Sequence, residues 1–400
     1  MQITERSRLA LLTLASVAVA ACSADRVVSN APLSAPIPSA SRSDASGDDD
    51  RSERATGAVY TETNGATGNV VLAFHRAADG SLTSLGGVST GGLGIGGTTD
   101  PLQSQYALVV RADHRMLFAV NAGSNDISSF RVAGDGSLTL VDRVRSGGVM
   151  PVSLASRGNL LVALNTTSNT IQGFRTTDSG KLLSIVGATA SLLPGAAGAS
   201  SIKFSADGRH LVVTERISNR VEILSVNENG RFGAPVATTS SGAVPFAVDN
   251  GFDGSVLVAE AGGAAPAGAV SSYRMTENGA LRTVTASLST QNNATCWLVA
   301  TADGRFAYAI NSASSNVSAL SVGSGGRLAL LSAGGVTAST GAGSAPLDPA
   351  LAAGDRFLYV LEAGRGAIQG FRVTDSHGLV VQGSVSTGAP SSGQQGLAAF

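Results

Sequence analysis

The sequence has 400 residues, of which 43% are hydrophobic and 14% charged, and its 27 basic residues nearly balance its 28 acidic ones. A chain of this length and apolar content is globular and can bury a large core. It has no surplus of positive charge to follow a phosphate backbone, and 4% aromatic residues offer few stacking platforms, which excludes nucleic acid as a partner. The 50 glycines favour tight turns between short strands over long helices.

The first residues have the features of an export signal. Arg6 and Arg8 precede an apolar stretch that ends at Ala21. This stretch is shorter than the roughly 20 residues that a membrane-spanning helix needs, and small residues close it, as in a secretory signal. We therefore expect the protein to be exported.

The apolar stretch ends in Val-Ala-Ala-Cys, which resembles the bacterial lipobox. Cleavage before Cys22 would leave a lipid-bearing first residue, so residues 1–21 are predicted to be a lipoprotein signal peptide. Ordinary cleavage after Ala20 or Ala21 is the alternative. Ser23, rather than Asp, follows the cysteine and favours the outer membrane, so we expect a lipid-anchored protein of the bacterial cell envelope or periplasm.

The segment after the signal peptide is predicted to be a disordered tether. Residues 22–55 are rich in Ser, Ala and Pro and contain the acidic run Asp48-Asp49-Asp50. Such a composition cannot bury enough apolar surface to fold. The segment would then connect the lipid to the folded domain.

From about residue 56 onward, one pattern of four apolar runs separated by Gly, Asn, Asp and Ser recurs seven times. The repeat of about 49 residues has the size of a four-stranded blade, and the runs are short and rich in Val, Ile and Ala, as strands are. The fourth run of each unit follows a turn glycine, in order Gly80, Gly136, Gly180, Gly230, Gly279, Gly326 and Gly378. Residues 56–400 are thus predicted to form an all-β, seven-bladed β-propeller with four-stranded antiparallel blades.

The first unit lacks the apolar strand that precedes the corresponding region of every other unit. The last five residues, Gly396 to Phe400, follow the same kind of Ala-Pro lead as other first strands. We therefore predict that the C-terminal strand completes blade 1 and closes the ring, which removes an exposed sheet edge.

Two of the units read ADGRHLVVTERISNRVEILSVNENGRF and ADGRFAYAINSASSNVSALSVGSGGRL. They resemble the seven-bladed lactonase family, which includes bacterial 6-phosphogluconolactonase and fungal carboxy-cis,cis-muconate cyclase. The resemblance covers the whole ring and implies a lactonase or cycloisomerase activity. Because one fold hosts many functions, it is a stronger argument for the fold than for the activity.

The second strand of each unit ends in Asn or Glu. In such a ring the first strand begins and the second strand ends on the same face, so we expect both columns to surround the channel mouth. The second-strand column reads Asn64, Asn121, Asn165, Glu215, Glu260, Asn311 and Glu362. Asn at a strand end can bond nearby backbone and shape the turn, whereas Glu does so less well, which makes the three glutamates the better functional candidates.

Glu215 occupies the position where the family carries its acidic active-site residue, so the resemblance assigns it the catalytic role. A structural role, in which Glu215 pairs with Arg216 or with backbone, is the alternative. The residues predicted to bind ligand at the mouth are Asn121, Asn165, Glu260, Asn311, Glu362, Trp297, Ser200 and Arg216.

The first-strand column lacks the groups that the family uses there, a histidine in one blade and Arg-His in another. The column reads Tyr106, Val152, Ser200, Phe246, Cys296 and Leu347, and all four histidines lie elsewhere. Lactone hydrolysis needs a positioned base and a donor or cation for the developing oxyanion. Whether the chain is an enzyme is therefore left open.

Two further features have alternative interpretations. Trp297 is expected to pack, with stacking on a sugar or planar ligand as the alternative, and Cys296 is expected to be a small buried residue. Four carboxylates could offer oxygens to calcium, although carboxylates around a mouth are more often hydrated. They are Glu215, Glu260, Glu362 and Asp348. We predict no metal and no cofactor.

The sequence thus favours a monomeric, lipid-anchored propeller that binds a small polar or carboxylated ligand, or an envelope protein, at the channel mouth with little or no catalysis. The alternative is a diverged lactonase or cycloisomerase that uses Glu215. A third hypothesis, an adhesive or assembly component of the envelope, rests only on the anchor and tether.

Overall fold

The computed structural model of the chain describes residues 56–195, 198–262 and 267–400. The predicted signal peptide, the lipidation of Cys22 and the tether lie outside the described residues. Within these ranges, no helix is long and apolar enough to cross a membrane.

The described chain folds into seven antiparallel sheets, as the repeat predicts. Blade 1 contains β1 (Gly57–Glu62), β2 (Val70–Arg76), β3 (Leu82–Ser89) and the last strand, β29 (Gln395–Ala399). Blade 2 contains β4 (Leu108–Val110), β5 (Met116–Asn121), β6 (Asp126–Val132) and β7 (Leu138–Arg145). Blade 3 contains β8 (Pro151–Arg157), β9 (Leu160–Asn165), β10 (Thr170–Thr176) and β11 (Leu182–Ser191).

The second half of the ring repeats this arrangement. Blade 4 contains β12 (Ala199–Phe204), β13 (His210–Glu215), β14 (Arg220–Ser225) and β15 (Val236–Thr239). Blade 5 contains β16 (Pro245–Asn250), β17 (Val256–Glu260), β18 (Ala269–Met275) and β19 (Leu281–Ser289). Blade 6 contains β20 (Thr295–Ala300), β21 (Phe306–Asn311), β22 (Asn316–Val322) and a divided outer strand, β23 (Leu328–Leu330) and β24 (Ala338–Ser339). Blade 7 contains β25 (Pro346–Ala352), β26 (Phe357–Glu362), β27 (Ala367–Val373) and β28 (Leu379–Ser386).

Helical structure among the described residues is limited to single turns. These are 3₁₀ helices at Phe252–Gly254, Ser312–Ser314 and Ser324–Gly326. Strands of Val, Ile, Leu and Ala with glycine-rich turns leave no long segment of helical periodicity, which accounts for this result.

The C-terminal strand closes the ring, as predicted. β29 pairs antiparallel with β1, with Tyr60 opposite Ala398 and Glu62 opposite Gln395. The strand starts one residue earlier than expected. Blade 1 is therefore built from both ends of the described chain, and this pairing closes the ring with no exposed edge at the inner side of blade 1.

The turn glycines also attach one blade to the next. Six of the seven predicted glycines have a positive φ, which only glycine adopts without strain, whereas in blade 7 His377 takes that conformation instead of Gly378. The Tyr60 hydroxyl of blade 1 donates to the carbonyl oxygen of Gly136 in blade 2 at 2.8 Å. The Tyr359 hydroxyl of blade 7 donates to Gly80 in blade 1 at 2.7 Å. These buried hydrogen bonds join neighbouring blades, and they satisfy polar groups within otherwise apolar contacts.

The innermost strand of each blade lines the axial channel, and all seven run in the same direction. We call the end at which these strands begin the upper end and the end at which they finish the lower end. The second strands run antiparallel to the first, so they end at the upper end, as expected.

Candidate functional site

The second-strand column lies at the upper end, but its member in blade 1 is Glu62 and not Asn64. Glu62 is the last residue of β1 and pairs with Gln395, as Glu215 pairs with Ala199 in blade 4. Asn64 lies two residues further on, at a left-handed φ of 48°. Its side-chain oxygen accepts a hydrogen bond from the backbone amide of Ile95, in the connection between blades 1 and 2. The column therefore contains four glutamates, and every member is at most 1% exposed.

The asparagines of the column organise their own hairpins. Asn121 donates to Asp126 and Ser128, both at 2.8 Å. Asn311 makes the same two contacts in blade 6, to Asn316 at 2.7 Å and to Ser318 at 2.8 Å. Their side chains point into the blades, where they satisfy buried polar groups. Their predicted contact with ligand stays a prediction.

Three further members of the column are bonded inside their blades. Glu260 accepts hydrogen bonds on one oxygen from Ser240, Ser271 and the backbone amide of Gly242. Glu362 accepts from Arg365 at 3.3 Å. The Asn165 side chain donates to the carbonyl oxygen of Ser146, at 3.3 Å.

Glu215, the predicted catalytic residue, is completely buried in blade 4. Its Oε2 accepts from the Ser218 hydroxyl at 2.5 Å and from Nε of Arg220. The same Nε lies 2.9 Å from Oε1 of Glu222, so one arginine bridges two buried carboxyl groups. Burial and the nearby charge of Glu215 raise the pKa of Glu222 to about 7. The cation paired with Glu215 is thus Arg220, and not Arg216.

The other residues predicted at the mouth are also enclosed. The hydroxyl of Ser200, which is fully buried, bonds to the carbonyl oxygen of Phe246 at 2.9 Å. Trp297 packs edge-on against the Phe246 ring at 5.0 Å and is fully buried, as its expected packing role requires, and its predicted contact with ligand stays a prediction. Arg216 is half-buried, with its guanidinium 6.0 Å from the same ring. Cys296 is buried as expected.

The feature that encloses these side chains is a loop inserted into the channel. Residues 100–106, which we call the plug, belong to the connection between blades 1 and 2. Asp100, Leu102, Ser104 and Gln105 are each at most 2% exposed. The glycine-rich residues 86–97 indicate a connection between two blades, but nothing in them or in the residues that follow indicates entry into the channel. Gly86 itself lies within β3.

The plug bonds to the inner strands of five blades. The carbonyl oxygen of Ser104 accepts from the indole N–H of Trp297 at 3.0 Å and from Gln395 at 3.2 Å. Gln105 pairs with both backbone groups of Leu298, at 2.7 and 3.1 Å. Further bonds join the plug to the carbonyl oxygens of Val152, Ser200 and Val248. This many buried bonds make the plug part of the core rather than a surface loop.

Three carboxyl groups are buried together around the upper part of the plug. Burial and the charge of Asp348 raise the pKa of Asp100 well above its ordinary value, and the cation of Arg216 opposes the rise. Burial also raises the pKa of Glu62, and that of Asp348 to about 7. Neutral carboxylic acids are favoured here because charged ones would be poorly solvated.

The channel is open at the lower end, opposite the predicted mouth. A cavity of about 430 Å³ begins below Tyr106 and receives residues from all seven inner strands. These include Leu108, Leu154, Phe204, Asn250, Val299, Leu351 and Leu397. The walls are mainly apolar with a few polar groups, the composition typical of small-molecule sites.

One ion pair lies at the wall of this lower cavity. Nζ of Lys203 lies 2.9 Å from Asp249 and donates to the Tyr106 hydroxyl at 3.1 Å. Burial opposes the charged ammonium, but Asp249 and Tyr106 together raise the pKa of Lys203. Tyr106, with a strained φ of 67°, belongs both to the plug and to this wall. The sequence analysis placed Tyr106 in the first-strand column but missed Lys203 and Asp249. Charged residues of opposite sign within the predicted inner strands of two successive blades were the signal that could have indicated this pair.

The carboxylates suggested as calcium ligands do not come together. In the described ranges, no group of three or more His, Cys, Asp or Glu side chains is arranged to hold a metal. Glu215 is instead engaged by Arg220, and Asp348 accepts from the amide of Gly396 at 3.0 Å.

Comparison with known proteins confirms the resemblance read from the repeats. Residues 64–192 match the family model described as Lactonase, 7-bladed beta-propeller. This segment runs from β2 to β11 and so covers two strands of blade 1 and all of blades 2 and 3. No curated protein matches the sequence significantly.

Solved structures support the same fold around the whole ring. A Bacteroides fragilis protein provisionally assigned as a 6-phosphogluconolactonase is 17% identical, with a TM-score of 0.68, over 88% of this chain and 100% of its own. A similarly assigned Bacteroides uniformis protein is 16% identical, with a TM-score of 0.66, over 85% and 99%. A periplasmic gluconolactonase of Pseudomonas aeruginosa is 20% identical, with a TM-score of 0.63, over 84% and 98%. The chain is therefore a seven-bladed propeller of lactonase-like architecture.

Proposed function

We propose that this protein is a binding propeller that holds a small molecule in the lower cavity and does not hydrolyse lactones. The observation that carries the proposal is the plug. It occupies the upper part of the channel, where the family resemblance places catalysis, and leaves an open apolar cavity of about 430 Å³ at the opposite end.

The surroundings of Glu215 support the absence of turnover. A general base must lie within hydrogen-bond reach of the water that it activates. Glu215 is completely buried, and one of its oxygens is occupied by Ser218 and Arg220. The histidine and the Arg-His pair that the resemblance would require are replaced by other residues, among them Ser200. Glu215 is thus a structural residue of blade 4 in this proposal.

We further propose that the propeller acts outside the cytoplasm on a lipid anchor at Cys22. The lipobox-like end of the apolar stretch supports this, and the similarity to a protein named as a periplasmic gluconolactonase agrees with it. Mass spectrometry of the mature N-terminus tests it. A peptide that starts at an unmodified Ala21 or Ser23 would contradict the anchor.

The test of catalysis is an assay of the purified protein against glucono-, phosphoglucono- and muconolactones. We expect rates at background for the native chain. Glu215→Gln is compared with Glu260→Gln, which alters the equally buried equivalent position of the next blade. Turnover that disappears in Glu215→Gln and persists in Glu260→Gln would establish a lactonase and overturn the proposal.

The test of binding uses the neutral fluorescent probe N-phenyl-1-naphthylamine. The full chain carrying Cys22→Ser avoids interference from lipid. Ser156 lines the lower cavity, so Ser156→Trp should fill it and abolish saturable binding of the probe. Thr83→Trp, on the exposed outer strand of blade 1, is the control and should leave binding unchanged. Equal binding by both variants would exclude the lower cavity as the site.

A further inference from the structure

A second cavity, of about 650 Å³, lies between the lower hairpins of blades 3 and 4. Its lining includes three arginines, Arg157, Arg175 and Arg209, and two exposed acidic residues, Asp207 and Glu228. Arg157 also lines the lower cavity, which makes the two cavities adjacent. We call this second cavity the arginine groove.

Two of the three guanidinium groups are available to a ligand. Arg157 donates to the carbonyl oxygen of Gly208 at 2.6 Å and so helps to fix the wall. Arg175 and Arg209 make no side-chain hydrogen bond or ion pair with any residue that the structure describes. Asp207 forms no ion pair with either arginine among the described residues, and its Oδ1 accepts from the Ser205 hydroxyl at 2.6 Å and from the backbone amide of Arg209 at 2.9 Å.

Arg175 lies at a position of the repeat that is also arginine in another blade. Arg372 occupies the equivalent position of blade 7, in an Ile-Gln-Gly-Phe-Arg segment that both strands share. Arg372 is exposed and lies outside the lining of the arginine groove. The repeat therefore places an arginine at the same position in blades 3 and 7. Of these two, Arg175 alone lies beside the hairpins of blade 4 and lines the arginine groove.

From these positions we infer that the arginine groove binds the acidic group of the same ligand whose apolar part enters the lower cavity. The inference rests on the proposed function and names its ligand class, an amphipathic carboxylate or phosphate. Guanidinium groups suit such oxyanions because they present two parallel N–H donors. The apolar walls of the lower cavity then bury the remainder of the molecule.

The experiment compares two probes that share one ring system. N-phenyl-1-naphthylamine is neutral, and 8-anilinonaphthalene-1-sulfonate adds an acidic group. In the full chain with Cys22→Ser, Arg175→Gln and Arg209→Gln should each weaken binding of the sulfonate about tenfold, because each removes a charge-assisted bond. Binding of the neutral probe should not change. Arg372→Gln is the matched control and should affect neither probe.

The outcomes separate the inference from the proposed function. Loss of the neutral probe in Ser156→Trp, together with unchanged sulfonate binding in both groove variants, would overturn the inference alone. Failure of the native chain to bind the neutral probe would contradict the proposed function. Sulfonate binding that needs Arg175 and Arg209 but persists in Ser156→Trp would also overturn the inference, because the groove would then act separately from the cavity. Competition by octanoate and by octyl phosphate identifies which acid is preferred.

Discussion

The two ends of the channel are built from the same seven inner strands, yet they have opposite properties. At the upper end the plug brings the carboxyl group of Asp100 and several hydrogen-bonded groups into the channel, and Asp100 and Gln105 are each 1% exposed. At the lower end the strands finish around an open, largely apolar cavity. A repeated fold therefore does not fix where a ligand enters. In this chain one loop between two blades determines which end is available.

The ends also differ in how they accommodate charge. Around the plug, carboxyl groups lie near one another, and burial favours their neutral forms. At the lower cavity, Lys203 and Asp249 form an ion pair, with the lysine side chain about one-third exposed. The upper end should therefore respond to pH near neutrality, and the lower end should tolerate substitution better.

The largest expected effect follows from removing the strand that both ends share. Deletion of residues 395–400 takes away Gln395, which bonds to the plug, and part of the wall of the lower cavity. It also leaves β1 as an unpaired edge. We expect a loss of most of the ~5 to 15 kcal/mol that is typical of folded domains, with aggregation. Thermal melts and size-exclusion chromatography provide the measurement, and an unchanged, monomeric profile would contradict ring closure.

Gln105→Ala should weaken the upper end selectively. The Gln105 side chain satisfies both the amide and the carbonyl oxygen of Leu298, and two buried backbone groups would lose their partners. The expected loss is about 4 kcal/mol in the free energy of unfolding by urea. Gln103→Asn, in the same plug at a positive φ that asparagine tolerates, is the control. Similar stability of the two variants would mean that the plug is not held by these bonds.

Stability should fall as the pH rises through neutrality. The pKa of Asp348 is raised from an ordinary value of 3.8 to about 7 in the folded state, so the unfolded chain releases this proton first. Between pH 5 and pH 8 this carboxyl group should cost about 3 kcal/mol of stability. Asp348→Asn should reduce that dependence, and Asp135→Asn, in an exposed turn, should leave it intact. Parallel pH profiles for all three proteins would exclude the buried acid as the cause.

The smallest effect is expected at the lower cavity. Lys203→Met removes the partner of Asp249, but the exposure of the lysine limits the cost to about 1 kcal/mol. Asp249 keeps its bonds to the amides of Asn250 and Ala300, one on each carboxylate oxygen, which limits the cost of the lost lysine, and unfolding by urea measures it. A loss as large as that of Gln105→Ala would remove the contrast between the two ends.

The fold was predictable because each blade repeats the same strand lengths and turns. The apolar run at Gly396 to Phe400 could be assigned to blade 1 because only the first unit lacked an inner strand. The site was less predictable, since side-chain direction depends on register. The sequence analysis placed Asn64 in the second-strand column, whereas Glu62 is the last residue of β1. It considered Arg216 as the partner of Glu215, whereas Arg220, across the hairpin, forms the ion pair. Nothing in the residues of the plug distinguishes them from a surface connection. Their course depends on long-range bonds to Trp297 and Leu298, which are formed only in the closed ring.

Hydrogen–deuterium exchange with and without N-phenyl-1-naphthylamine tests the central claim most directly. If the upper end is sealed and the lower end receives the ligand, the hydrogen-bonded amides of the plug, those of Gln103 and Gln105, exchange as slowly as those of the inner strands and are unaffected by the probe. Peptides that cover Leu154–Arg157 and Leu397–Ala399 should then gain protection when the probe binds. Rapid exchange of these two plug amides, or protection by the probe that appears in the plug and not at the lower strands, would contradict this account.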